Sequence, residues 1–199
     1  DAISASLADD TVAVVRRTSI RNAWFADVSG AQARRLASIT SPESSIFGAS
    51  ALARGSVIFE SPEDRYVQIR TIGTAGGEAR QLTTGESHNL NARAANGLVV
   101  FGRLDNTGFH IWRMGADGAD QRQLTSGGGE TFTDLSRDGL HVIANYWESP
   151  RKISVLSTED GRVVLEKSDV SGMIGFSPDS GSVLISSPEK DARGLVGVV

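Results

Sequence analysis

The stretches "VQIRTIGTAGGEARQLTTG" (67–85) and "FHIWRMGADGADQRQLTSG" (109–127) align without a gap at an offset of 42 residues, and no other feature constrains the fold of this chain as tightly. The alignment sets Ile69 on Ile111, Gly76 on Gly118, Arg80 on Arg122 and Leu82 on Leu124. "AWFADVSGAQARRLAS" (23–38) fits the same template 88 residues before the later copy, with Trp24 on Trp112 and Gly30 on Gly118. "KISVLSTEDGRVVLEKS" (152–168) repeats it with a shorter turn. A second element travels with the first. In "ALARGSVIFE" (51–60), "RAANGLVVFG" (93–102) and "LSRDGLHVIA" (135–144) a small or polar turn precedes an apolar run, and Gly55, Gly97 and Gly139 are each 42 residues apart. "SLADDTVAVV" (6–15) and "FSPDSGSVLI" (176–185) are the outermost copies.

One unit therefore reads as four strands in about 42 residues: a first strand, an S-x-D-G type turn, an apolar second strand, a loop, a third strand, a D-G turn and an outer strand ending in "RQLT". In 116–119 the Asp-Gly pair supplies the hairpin, 122–125 the outer strand, and "SGGGE" (126–130) the connection to the next unit. Twenty-two glycines against five prolines fit frequent turns between short strands. Runs such as Val57, Ile58, Phe59 and Leu98, Val99, Val100, Phe101 are apolar at successive positions, so both faces of the sheet are covered. A lone four-stranded unit cannot bury two faces, and radial stacking solves this. The expected fold is an all-β β-propeller of about five four-stranded antiparallel blades, at 1–37, 43–84, 86–126, 129–168 and 170–199. The last blade is incomplete, and the set is either a whole ring or part of a six- or seven-bladed one.

The pairing of "FSPDSGSVLI" and "LSRDGLHVIA" with "IWRMGADGADQRQLT" resembles the TolB-type, WD-like propeller repeat across nearly the whole chain. The S-P-D-G turn is near intact only at Ser177, Pro178, Asp179 and Ser180, and is eroded to "ADD", "ARG" and "ANG" in the first three copies. The resemblance implies a bacterial, sensor-like propeller of a kind often joined to a kinase or winged-helix domain, set in the periplasm or on the extracytoplasmic side rather than in the cytoplasm. It is specific for fold and says little of role.

Bulk properties exclude several classes. The formal charge of −4 gives no basic field for gripping nucleic acid, and no apolar run reaches the length of a membrane span. With no cysteine, disulfides and thiolate metal sites are ruled out. There is no G-x-S-x-G, G-x-x-x-x-G-K-[ST] or H-E-x-x-H. No catalytic residue, cofactor or metal is expected.

The candidate binding residues lie in loops that share one end of the blades, around the mouth of the channel. His88 and Glu86 stand in the connection between the second and third copies, and Glu130 in the corresponding "SGGGE" connection. Asp105 belongs to the acidic loop between second and third strands. "NYWESPRK" (145–152) adds Tyr146, Trp147 and Arg151, residue types that dominate interfaces, with Glu148 as an opposite charge near Arg151. His110 and His141 fall within strands and are read as packed or solvent-facing strand histidines, and Trp24 and Trp112 as packing residues. Arg80 and Arg122 are read as solvated charges on the outer edge. The expected function is a non-enzymatic binding or scaffolding propeller taking a protein, peptide or small ligand at that mouth. The competing reading is the substrate-gating propeller of a prolyl-peptidase-like serine hydrolase. A glycosidase would need paired carboxylates converging on the axis, for which Glu86, Asp105, Glu130 and Glu148 are the loop acids.

Overall fold

The computed structural model describes the backbone of residues 3–8, 11–16, 19–25, 34–41, 49–52, 55–127, 129–146, 151–168, 170, 175–186 and 193–197, and side chains within 55–185 except Thr133. Every regular element among them is a strand. β1 (Ile3–Ala8) pairs with β2 (Thr11–Arg16), and β3 (Ser19–Phe25) with β4 (Arg34–Ser41). Then come two four-stranded sheets: β5 (Ala49–Leu52), β6 (Ser56–Glu63), β7 (Tyr66–Gly73) and β8 (Arg80–Gln81), followed by β9 (His88–Ala95), β10 (Leu98–Asp105), β11 (Gly108–Gly115) and β12 (Arg122–Gln123). A third contains β13 (Glu130–Leu135), β14 (His141–Tyr146), β15 (Lys152–Ser157) and β16 (Val163–Ser168), and β17 (Gly175–Phe176), β18 (Ser182–Ser186) and β19 (Arg193–Gly197) form a three-stranded sheet. Each sheet is antiparallel and ordered as the chain runs, which is the meander of a propeller blade. The four strands expected to make one sheet before residue 42 form two pairs, with no ladder from β2 to β3 among the described residues.

Adjacent residues on one strand serve opposite neighbours. Val99 and Phe101 of β10 pack with Ile58, Ile69 and Leu82 of the preceding sheet. Val100 between them packs with Phe132, Leu135 and Val142 of the following one. In β14, Val142 and Ala144 face back while Ile143 meets Val183 and Ile185. This two-sided burial is why the second strands lack polar alternation, and each such side chain contributes about 1.5–3 kcal/mol of transfer free energy.

The repeated turns are tied by their own side chains. Ser136 Oγ donates to Asp138 Oδ1 at 2.6 Å and accepts from His141 N, while Asp138 Oδ1 also accepts from Leu140 N. Ser177 and Asp179 repeat the arrangement, with Gly181 N and Ser182 N as donors. In the D-G hairpin, Asp117 Oδ1 accepts from Ala119 N at 3.0 Å and Gly118 takes φ +87°. A Cβ there would lie 3.1 Å from Leu82 O of the preceding blade, so glycine meets both the backbone angle and the close approach.

The outer strand is shorter than expected. β12 spans Arg122–Gln123 rather than 122–125, because Leu124 N bonds Ile111 O but the next link is a side chain: Ile111 N donates to Thr125 Oγ1 at 2.9 Å. Thr83 does the same for Ile69 N at 2.9 Å. The arginines that open these strands are not simply solvated. Arg80 donates to Asp117 O at 2.7 Å and Arg122 to Glu159 O, each reaching the D-G hairpin of the next blade.

Candidate functional site

The register gathers the candidates at one end of the blades. His88 opens β9 opposite Leu104, Asp105 closes β10 opposite Gly108, and Glu130 opens β13 opposite Tyr146, which closes β14 opposite Lys152. His88 and Glu130 are thus first residues of inner strands rather than loop residues. Trp147 and Glu148 lie outside the described residues, and Arg151 is exposed just before β15.

Beside Tyr66 the surface opens into a cleft of about 470 Å³, lined by Glu63, Asp64, Arg65, Tyr66, Gln68, Gln81, Gly85 and Glu86, with His88 outside the lining. Glu86 is exposed at its rim. The His88 ring meets Tyr66 edge-on, centroids 5.5 Å apart, and its Nδ1 accepts from Val67 N at 3.3 Å. His88 therefore fastens one blade to the next and backs the Tyr66 ring that lines the cleft. Behind it Gln68 is buried with every polar site used. Its Nε2 donates to Gly85 O and Ser87 O, and its Oε1 accepts from Thr83 Oγ1 and Asn89 Nδ2. Asn89 Oδ1 in turn accepts from Arg103 Nε at 2.9 Å. The Arg103 guanidinium lies 4.0 Å from the centre of the Trp112 ring, and burial, opposed by the Asp105 charge, lowers its pKa. Trp112 is a packing residue, as its repetition implies.

The next junction differs. His110, at the repeat position of Gln68, is buried, and its Nδ1 lies 3.8 Å from Oε2 of the buried Glu130. Neither of those two atoms has a hydrogen-bond partner among the described residues. On the other side of the ring, Nε2 stands 3.1 Å from Thr107 Oγ1, which donates to Asp105 Oδ1 at 2.5 Å. The hydroxyl and amide of Thr107 hold the Asp105 carboxyl below the usual carboxylate range. Gly127 packs beside this pair, and a Cβ on it would fall 2.4 Å from Glu130 Oε1, so a larger residue there would push the carboxylate aside. Tyr146 is half-buried under the Lys152 ammonium, which sits 4.5 Å from its ring centre, and burial pushes its phenol up. Among the described residues no three His, Asp or Glu side chains converge as a metal-ligand group.

Glu60 was not a candidate, yet it is fully buried at the second strand of its blade and accepts from Ala92 N at 3.1 Å. That amide is freed by an irregularity in β9, where pairing skips from Val100 to Gly102 and Asn91 takes φ +56°. A charge inside the otherwise apolar run "VIFE" was the signal for it. His110 could have been found from the repeat, by the exchange of Gln68 for an ionisable residue.

These blades and their stacking define a β-propeller, and the solved structures that this chain resembles are propellers of the TolB type and others. TolB from Acinetobacter baumannii matches with a TM-score of 0.62 and 16% identity over 97% of this chain and 47% of that one. A putative TolB from Agrobacterium tumefaciens matches at 0.63 and 14%, over 90% and 65%. Porphyromonas gingivalis dipeptidyl peptidase 4 matches at 0.60 and 13%, over 73% of this chain and 22% of the enzyme. This chain thus spans less than two thirds of either TolB chain. At these identities the likeness is one of fold. No protein-family model and no curated protein matches the sequence.

Proposed function

We propose that the chain is a non-catalytic binding propeller that holds a protein or peptide segment at the end of the blades where the inner strands begin. The observation that carries this reading is the cleft of about 470 Å³ next to the Tyr66–His88 ring pair, walled by Tyr66 and lined by Asp64 and Glu86 with Arg65 beside them, while the third carboxylate, Glu63, is paired with Arg70. An aromatic wall with carboxylates at its rim suits a basic side chain, which gains cation–π attraction and opposite charge together. Tyr146 and Arg151 extend the same surface in this reading, which takes the protein to act on the extracytoplasmic side of a bacterial cell. The test is binding of the purified chain to an immobilised peptide array. Capture should favour basic peptides and weaken at least tenfold in Tyr66→Ala and Glu86→Lys. Turnover of peptide, ester or glycan substrates by the purified chain, abolished by changes in the loop carboxylates, would replace this reading with an enzymatic one.

Likeness to the propeller-bearing dipeptidyl peptidase favours a second reading, in which the same mouth gates substrate for a hydrolase domain. A nucleophile domain in the same open reading frame would be its mark.

A further inference from the structure

We propose that His110 and Glu130 together bind one divalent transition-metal ion of the zinc type between the third and fourth blades. The two donor atoms are Nδ1 and Oε2, 3.8 Å apart, both on side chains more than nine-tenths buried and both without a hydrogen-bond partner among the described residues. With the ring neutral, two buried acceptors facing one another are costly, and a cation between them removes that cost.

The surroundings fix the imidazole in the form a metal needs. Thr107 has one hydroxyl proton, and it goes to Asp105 Oδ1, a carboxylate that can only accept. Thr107 Oγ1 then accepts from His110 Nε2, which puts a proton on Nε2, so that in the neutral ring it is the Nδ1 lone pair that faces Glu130. A ring N–H held by an outer polar group, with the other nitrogen free, is the usual support of a metal-bound histidine. The spacing is also suitable. At zinc bond lengths of about 2.0–2.2 Å an ion would subtend roughly 130° between the two atoms, and a closure of about 0.4 Å would make the angle tetrahedral.

The preceding blade junction has the same backbone and none of these properties. There Gln68 stands for His110 and His88 for Glu130; the amide is fully bonded and His88 Nδ1 accepts from Val67 N. Nitrogen and carboxylate donors together suit zinc rather than magnesium or calcium.

Titration of tag-free protein with zinc chloride by calorimetry tests this, with the cobalt(II) visible spectrum as a second readout. We expect one saturable ion per chain, a thermal midpoint that rises with zinc, and a visible cobalt band. His110→Gln, the residue that the preceding repeat carries, and Glu130→Gln should abolish all three, whereas His88→Gln should leave them. Thr107→Val changes only an exposed turn and keeps both ligands, so it folds, and it should weaken zinc about 10-fold or more. Absence of saturable zinc binding overturns the proposal. So does binding unchanged in Glu130→Gln or in Thr107→Val.

Discussion

Thr83 and Thr125 each replace a backbone acceptor with a side-chain one, and this explains why the repeat ends in "QLT". The preceding leucine enters the space between blades while the threonine hydroxyl accepts from a buried third-strand amide. Thr125→Val keeps shape and removes the acceptor. We expect a loss of about 1–3 kcal/mol by urea denaturation, the cost of leaving the Ile111 N–H buried and unpaired. The S-x-D-G carboxylates predict a pH dependence. Burial alone would raise Asp138, but the Ser136 hydroxyl and the Leu140 amide outweigh it and lower its pKa. Asp179 is lowered by the Ser177 hydroxyl and the Gly181 amide. Groups depressed on folding stabilise above the unfolded carboxylate pKa of about 3.9, and that contribution is lost as pH falls through the folded values. The urea midpoint should therefore drop from pH 6 to pH 3, and Asp138→Asn should remove part of that slope; an identical slope in the variant would refute the assignment. These turns were legible from residue types alone, because serine and aspartate bond their own neighbours. The His110–Glu130 approach was not, since it joins residues 20 apart that meet only through the register of two blades.

At the scale of elements, the second and third strands followed directly from apolar runs at a fixed period. The short outer strands did not, because a single hydroxyl stands in for the ladder there. The joints between blades were illegible for a similar reason. Arg80 and Arg122 look like surface charges in sequence, yet each bonds a carbonyl in the next hairpin, while Gln121 reaches back to Leu82 O at 3.0 Å. Glycine at the hairpin completes the joint. Gly161 has φ +75°, and a Cβ would fall 2.2 Å from Leu124 O. Gly76 has φ +88° with nothing within 4 Å of that position. Gly76→Ala should cost about 1–2 kcal/mol, the left-handed strain alone. Gly161→Ala should cost about 3 kcal/mol or more, because backbone must also move. Equal losses would show that the close approach carries no energy.

For the whole molecule, stability should follow depth in the stack. Amides of β10, β11, β14 and β15 lie in strands paired on both edges and covered on both faces, whereas β8 and β12 are two-residue outer strands. Hydrogen exchange should find the slowest amides in the first group and faster exchange in the second. Uniform protection across a sheet would mean that blades open only as units. The direction of the joints has a further consequence. The unit 86–126 carries a donor that reaches forward, Arg122 to Glu159 O, and a hairpin that receives the donor behind it, Arg80 to Asp117 O, whereas the next unit has Val163 in the donor's place. Tandem copying of such a segment, wherever in the period the copy begins, therefore reproduces a matched plug and socket at each new boundary. A gene built this way can gain a blade in one duplication without first evolving an interface for it.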